Sequence, residues 1–239
     1  MTTVWITGAT SGIGRALALA LDEAGYEVCA IGRNIAALDT LCATHPRIVP
    51  IALDVTEPEA VAAAVADRHI DVLINNAGSM PSIGPFAGMN APDIDRTIEV
   101  NLNAVLRLTH LVLPQMLSRQ SGHILFMGSS AAHAPSPNFA VYSATKAALS
   151  AFCTSLRGEL SPFGIRLTEI APGRVETPFY ASILDGEMRQ AMYADHVAVQ
   201  PEDIARMVVA LLALPASADV TRLDILPTRP VAPIEIKAG

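Results

Sequence analysis

Short apolar runs alternate along this chain with longer amphipathic stretches, and that alternation restricts the fold more than any other feature. The strand-like runs are Val4–Thr7, Glu27–Ile31, Ile48–Ile51, Val72–Asn75, His123–Gly128, Arg166–Ile170 and Arg222–Leu226. Helix-like stretches lie near 13–24, 34–44, 57–67, 92–118, 140–161 and 202–213. Strands apolar on both faces, with helices between them, predict a parallel sheet covered on both sides. The expected fold is α/β and doubly wound: a seven-stranded, mostly parallel sheet with helices on both faces. Pro58 and Pro92 suit the first turns of their helices, where a missing N–H costs nothing. Pro201-Glu202-Asp203 opens the last helix with acids at its positive end. Pro114, inside 92–118, predicts a kink or a helix end. With 51% hydrophobic and 16% charged residues, the chain can bury a large core and is expected to form one domain over 1–239. The long irregular stretch 172–200 is expected to be a functional loop or lid, with helix plausible over 182–194.

The net charge of −7, with no basic run, argues against a nucleic-acid surface. Cys29, Cys42 and Cys153 have neither metal-ligand spacing nor the pattern of a disulfide framework, so no metal and a reducing compartment are expected. Met1-Thr2-Thr3 leads straight into a strand without a signal-like region, and 207–215 is too short to span a bilayer. A cytoplasmic protein without a membrane partner is the expectation.

Thr7-Gly8-Ala9-Thr10-Ser11-Gly12-Ile13-Gly14 follows the first strand and opens the first helix. Glycines permit a tight turn and let a pyrophosphate approach main-chain N–H groups. Three glycines alone also fit an ordinary strand-to-helix turn. Their place at the head of a βαβ pattern favours dinucleotide binding in a Rossmann-type fold. The second strand ends Ala30-Ile31-Gly32-Arg33-Asn34. NAD sites usually carry an acid here for the ribose 2′-hydroxyl, whereas a guanidinium holds a 2′-phosphate. Arg33 therefore favours NADP(H), with NAD(H) the alternative; the plainer reading is an arginine that starts a helix.

The chain has 14 arginines but only two lysines, Lys146 and Lys237. Lys146 follows Tyr142 by one helical turn, so the two share a face. An ammonium beside a phenol favours the phenolate and brings its pKa toward neutrality. A surface tyrosine with a solvated lysine is the simpler alternative. Ser129 ends an apolar strand, where doubly wound folds place ligands, and its hydroxyl could donate to a developing oxyanion; by that criterion Ser130 competes. Asn101 lies in a helical stretch, where local bonding is the ordinary fate of an asparagine.

The spacing Gly-x-x-x-Gly-x-Gly, then Asn75-Asn76-Ala77-Gly78, Asn101, Ser129, Tyr142-x-x-x-Lys146 and Pro172-Gly173-x-Val175-x-Thr177, resembles the short-chain dehydrogenase/reductase family over essentially the whole chain. The resemblance implies an oxidoreductase that moves hydride reversibly between a nicotinamide and a carbonyl or secondary alcohol. It implies that Tyr142 protonates the nascent alkoxide and that Lys146 lowers the tyrosine pKa and holds ribose hydroxyls. Ser129, 13 residues before Tyr142 and seven after Gly122, matches the family's serine better than Ser130. Asn101 would bend its helix and hold a water linking Lys146 to solvent.

For the cofactor, the resemblance implies contacts from Gly8, Thr10, Ser11, Gly12, Ile13 and Gly14, from Arg33, and from Asp54 (to the adenine amino group) with Val55. Asn76, Ala77 and Gly78 follow, and Val175 and Thr177 would meet the carboxamide. A helix cap is the alternative for Asp54, although Thr56 is better suited to that. The family often has glycine three residues after its serine; Ala132 and His133 here predict a different loop path. A homodimer or homotetramer through the helices near 92–118 and 140–161 is also implied.

The substrate is less constrained. Phe179, Tyr180, Met188, Met192, Tyr193 and His196 could wall a pocket or simply pack the loop. Arg174 could bind a carboxylate or be solvated. The segment from Leu223 to Pro230 resembles family members acting on small 3-hydroxy acids and serine-like alcohols. A non-catalytic dinucleotide sensor is the rival of a different class, and the intact serine, tyrosine and lysine speak against it. A sugar-nucleotide epimerase or dehydratase usually has another glycine spacing and a longer C-terminal region.

Overall fold

A computed structural model describes residues 1–181, 183–193 and 198–229; His196, Pro230 and Lys237 lie outside them. Seven strands form one sheet: β1 (Thr3–Thr7), β2 (Glu27–Gly32), β3 (Ile48–Ala52), β4 (Val72–Asn75), β5 (Gly122–Met127), β6 (Ile165–Pro172) and β7 (Arg222–Ile225). Their order is β3-β2-β1-β4-β5-β6-β7, and every neighbouring pair is parallel. The order reverses between β1 and β4, so a crevice opens beyond the carboxyl ends of those strands, where such sheets bind ligands.

Alternate strand residues feed two cores, one on each sheet face. Val4, Ile6, Val28, Ala30 and Ile74 pack with Leu17 and Leu21 of α1 (Gly12–Glu23), Leu38 and Leu41 of α2 (Ile35–Ala43), and Ile204 and Val208 of the C-terminal helix (Pro201–Leu212). Trp5, Ile31, Leu73, Ile124 and Phe126 pack on the other side. They meet Val61 and Val65 of α3 (Pro58–Ala66), Val105 and Val112 of α5 (Ala104–Arg119), and Leu149 and Cys153 of α6 (Ala140–Leu160). No helix among the described residues is long and apolar enough to cross a membrane.

The stretch expected as one helix over 92–118 is two. Helix α4 (Ala91–Ile98) passes through a π-helical turn, Glu99–Asn103, into α5. Pro114 lies inside α5 without ending it, and the helix stops instead at Gln120, whose φ of 52° is left-handed. Proline suits the first turns of α3 and α4 as expected. Neither Asp54 nor Thr56 caps α3: its N-cap is Glu57, without a side-chain bond. Within 172–200, β6 runs on to Pro172, and a short helix α7 (Gly186–Met192) falls where helix was plausible. The C-terminal helix, α8, begins at Pro201 behind a capping box formed by Gln200 and Asp203.

Candidate active site

The turn after β1 has the conformation that its glycines allow. Gly8 and Gly12 lie at φ +68° and +51°, a region costly for any residue with a Cβ. Asn76, just past β4, ties the turn down: its Nδ2 donates to the carbonyls of Thr7 at 2.9 Å and Gly8 at 3.3 Å. The Thr7 hydroxyl accepts in turn from the N–H groups of Asn76 and Ala77 at 3.0 and 2.9 Å. Thr7 was not singled out from sequence; only the pairing of β1 with β4 brings its hydroxyl to that loop.

Above this turn lies a cleft of about 460 Å³. Gly8, Thr10, Ser11, Gly12 and Ile13 form its floor, and Arg33, Asp54 and Val55 stand together at one end. Ser129, Tyr142 and Lys146 stand together at the other, and Asn76, Ala77, Gly78, Val175 and Thr177 also line the cleft. Two expected site residues lie elsewhere. Gly14 is a packing glycine, since a Cβ on it would sit 2.2 Å from the Gly8 carbonyl oxygen. Asn101, fully buried in the π-turn, does not bond locally: it accepts from the Ser79 N–H at 2.7 Å and donates to the Ser79 carbonyl at 2.9 Å and the Thr145 hydroxyl at 3.2 Å.

The cleft fits a dinucleotide. Its glycine floor leaves no spare room: a Cβ on Gly12 would meet Thr177 at 3.2 Å. At the end of β2 a Cβ on Gly32 would lie 2.5 Å from the Thr10 methyl, so any side chain there would have to displace Thr10. Arg33 follows, largely exposed, its Nη1 3.5 Å from Asp54 Oδ2. Burial alone would raise the Asp54 carboxyl, but the N–H and hydroxyl bonds from Thr56 and the nearby Arg33 and Arg96 hold it below its usual range. Arg96, missed from sequence, also lines this end.

At the other end, α6 carries Tyr142 and Lys146 on one face, both buried. Lys146 Nζ donates to the Met127 carbonyl at 2.7 Å and stands 5.7 Å from the centre of the Tyr142 ring. Burial lowers the lysine to about 8, opposed by Glu169. The expected lowering of the Tyr142 pKa is not found here: burial pushes it well above the ordinary range, Tyr180 adds to this, and a hydrogen bond with Ser129 only partly offsets it. Ser129, unlike Ser130, lines the cleft. Its Oγ accepts from the Ala131 N–H at 3.1 Å, which starts the short helical turn carrying the Ala132-His133 departure.

The loop residues divide between pocket and packing. Phe179 and Tyr180 line the cleft, Phe179 with its ring centre 6.2 Å from that of Tyr142. Tyr193 packs: its hydroxyl donates toward the Val175 carbonyl at 3.2 Å and accepts from the Thr177 N–H at 3.5 Å. Met192 is buried and Met188 exposed. Arg174 does not line the cleft; its Nη1 donates to the Met192 carbonyl at 3.4 Å.

Fold and cleft together define a protein of the dinucleotide-binding, doubly wound α/β class. The family model for short chain dehydrogenases matches residues 2–188. An uncharacterized short-chain type dehydrogenase/reductase of Sinorhizobium fredii is 46% identical over 224 residues, 93% of this chain and 90% of that protein. A sulfoacetaldehyde reductase of Chromohalobacter salexigens is 35% identical over 95% of this chain and 94% of its own length. A serine dehydrogenase solved in its closed form with NADP+ superposes with a TM-score of 0.93 at 31% identity, covering 100% of both chains. The chain belongs to the short-chain dehydrogenase/reductase family, whose members are NAD(P)-dependent oxidoreductases.

Proposed function

We infer that this protein catalyses reversible, NADP(H)-dependent reduction of a small carbonyl compound to its alcohol, with a 3-hydroxy acid as the alcohol. The observation that carries the reading is the meeting of Ser129, Tyr142 and Lys146 in the same cleft that the glycine turn lines.

Gly8, Thr10, Ser11, Gly12 and Ile13 would cradle the pyrophosphate, and Arg33 would pair with the 2′-phosphate. Asp54 and Val55 would meet the adenine, with Asn76, Ala77 and Gly78 along the ribose. Val175 and Thr177 would orient the carboxamide and Lys146 the ribose hydroxyls. When bound, the nicotinamide supplies or accepts the hydride. Tyr142 gives its proton to the oxygen of the nascent alkoxide, and its raised pKa keeps that proton in place at neutral pH. Ser129 donates to the same oxygen as charge develops. Lys146 adds positive charge beside the phenol, and Asn101 steadies the bent helix through Ser79 and Thr145. Phe179 helps to exclude water from the phenol.

The substrate class follows the relatives: serine and sulfoacetaldehyde both carry an acid group near the hydroxyl or carbonyl carbon. Arg174 lies outside the residues lining the cleft, with its Nη1 toward the Met192 carbonyl, which favours a role in the loop over one in holding the acid. The test is a substrate panel followed by absorbance of the reduced nicotinamide. NADP-linked turnover of 3-hydroxy acids, above that of simple alcohols, is expected; turnover restricted to simple aldehydes and ketones overturns the substrate class. A preference of about tenfold or more for NADH in kcat/KM overturns the cofactor.

A further inference from the structure

Tyr142, Lys146 and Ser150 stand one helical turn apart along the same face of α6. The first two line the cleft; Ser150 does not. Its hydroxyl donates instead to Glu169 Oε2 at 2.8 Å. Glu169, in β6, is 3% exposed, an acid buried in the interior of the sheet. Its other oxygen, Oε1, is 3.0 Å from His133 Nε2. The backbone passes this carboxylate at Gly128, where a Cβ would lie 2.6 Å from Oε1. Gly128 directly follows Met127, whose carbonyl holds Lys146. The carboxylate is thus bound to the catalytic helix on one side and abuts the lysine's anchoring loop on the other.

A carboxylate so deeply buried is costly unless hydrogen bonds and positive charge offset it. Ser150 and His133 supply the hydrogen bonds, and the close pass of Gly128 sets the carboxylate beside the strand end whose Met127 carbonyl holds the Lys146 ammonium. The groups around Lys146 can be named element by element. Tyr142 stands on α6, Ser129 and the Met127 carbonyl at the end of β5, and Glu169 on β6 with His133 behind it. Tyr180 of the substrate loop acts on Tyr142. Of these, Glu169 is the carboxylate.

Resting on the oxidoreductase reading above, we propose that Glu169 is a positioning residue for the proton chemistry: fixed by Ser150 and His133, its carboxylate keeps the Lys146 side chain charged beside Tyr142. Burial works in the opposite direction, lowering Lys146 to about 8, and Glu169 limits that loss. His133 takes part from the short helical turn that Ser129 starts.

Two lysines in the whole chain make a direct test possible. Protein labelled with 13C at lysine Cε gives two side-chain signals, and Lys237→Arg removes one. In that background the Lys146 signal is expected to titrate near pH 8. Adding Glu169→Gln moves the midpoint down by about one pH unit, the size of shift a lost neighbouring charge produces. The alkaline limb of NADPH-dependent reduction moves down with it. Ser150→Ala keeps the charge but loosens its hold, so a smaller downward shift than in Glu169→Gln is expected.

An unmoved Lys146 midpoint in folded Glu169→Gln overturns the proposal. The parent protein is a second test that needs no folded variant: a Lys146 already neutral at pH 7 overturns the proposal as well. Loss of turnover in Tyr142→Phe together with an unmoved midpoint in Glu169→Gln sinks this inference alone. Full turnover in Tyr142→Phe sinks the reading of the site, while the titration still reports on Glu169.

Discussion

Thr10 and Gly32 approach so closely across the mouth of the cleft that a Cβ on Gly32 would lie 2.5 Å from the threonine methyl. The strand end that usually presents an acid to a ribose hydroxyl carries no side chain here, Thr10 filling the space beside it, and the next side chain is the guanidinium of Arg33. Arg33→Ser is expected to lower kcat/KM for NADPH about tenfold or more, the cost of a lost charge-assisted pair, and to leave NADH nearly unchanged. Equal losses with both cofactors would show that Arg33 does not read the 2′-phosphate.

Gly14 illustrates how tightly α1 is seated on the turn. A methyl there would stand 2.2 Å from the Gly8 carbonyl oxygen and 2.5 Å from Asn76 Nδ2. Gly14→Ala should therefore push the turn off its Asn76 anchor, at about 1–3 kcal/mol of overpacking strain. Urea denaturation should report that loss, and NADPH affinity should weaken with it. A variant as stable as the parent would mean that the helix can slide outward freely.

Tyr142→Phe keeps the ring beside Phe179 and removes only the hydroxyl that is hydrogen-bonded to Ser129. The expected outcome is a fall in kcat of about 10²–10⁴-fold, the usual worth of a positioned proton donor. Cofactor affinity, measured by fluorescence titration, should stay as it was. Unchanged turnover contradicts the assignment of the proton.

His123 gives the fold an acid-sensitive point in the sheet. Its Nε2 pairs with the Thr168 hydroxyl at 2.8 Å, and its Nδ1 has no partner among the described residues. Burial, helped by Arg166, lowers its pKa from 6.5 to about 3. Between those values the unfolded chain binds a proton that the folded chain refuses, so stability is complete above pH 6.5 and is lost as pH falls. Up to roughly 3 kcal/mol should disappear between pH 6.5 and 4 from this residue. Urea titrations at both pH values should show it, with a flatter dependence in His123→Gln. An identical slope in that variant assigns the acid loss to other groups.

Much of the site was legible because local sequence governs local geometry. A glycine at positive φ, a proline in a first helical turn and a tyrosine one turn from a lysine are statements about neighbours along the chain, and these held at Gly8, Gly12, Pro58, Pro92, Tyr142 and Lys146. The five inner strands were legible for a related reason, since burial on both faces leaves a continuous apolar run.

Other features needed partners from distant parts of the chain. Asn101 reads as an ordinary helical asparagine until β4 delivers Ser79 to it. The cap open to Asp54 from sequence is not made, and Arg33 stands opposite it instead. Arg174, open from sequence to solvent or to a carboxylate, meets the Met192 carbonyl. The sequence by itself determined the elements, the turn that a dinucleotide would need, and the tyrosine–lysine pair, because each depends on backbone preferences and spacing within one element. Only the tertiary structure decided that Gly14 packs rather than lines the cleft, that burial raises the Tyr142 phenol, and that Glu169 meets Ser150 and the backbone at Gly128. Desolvation and cross-sheet contact depend on strand order and register, which bring together residues far apart in sequence.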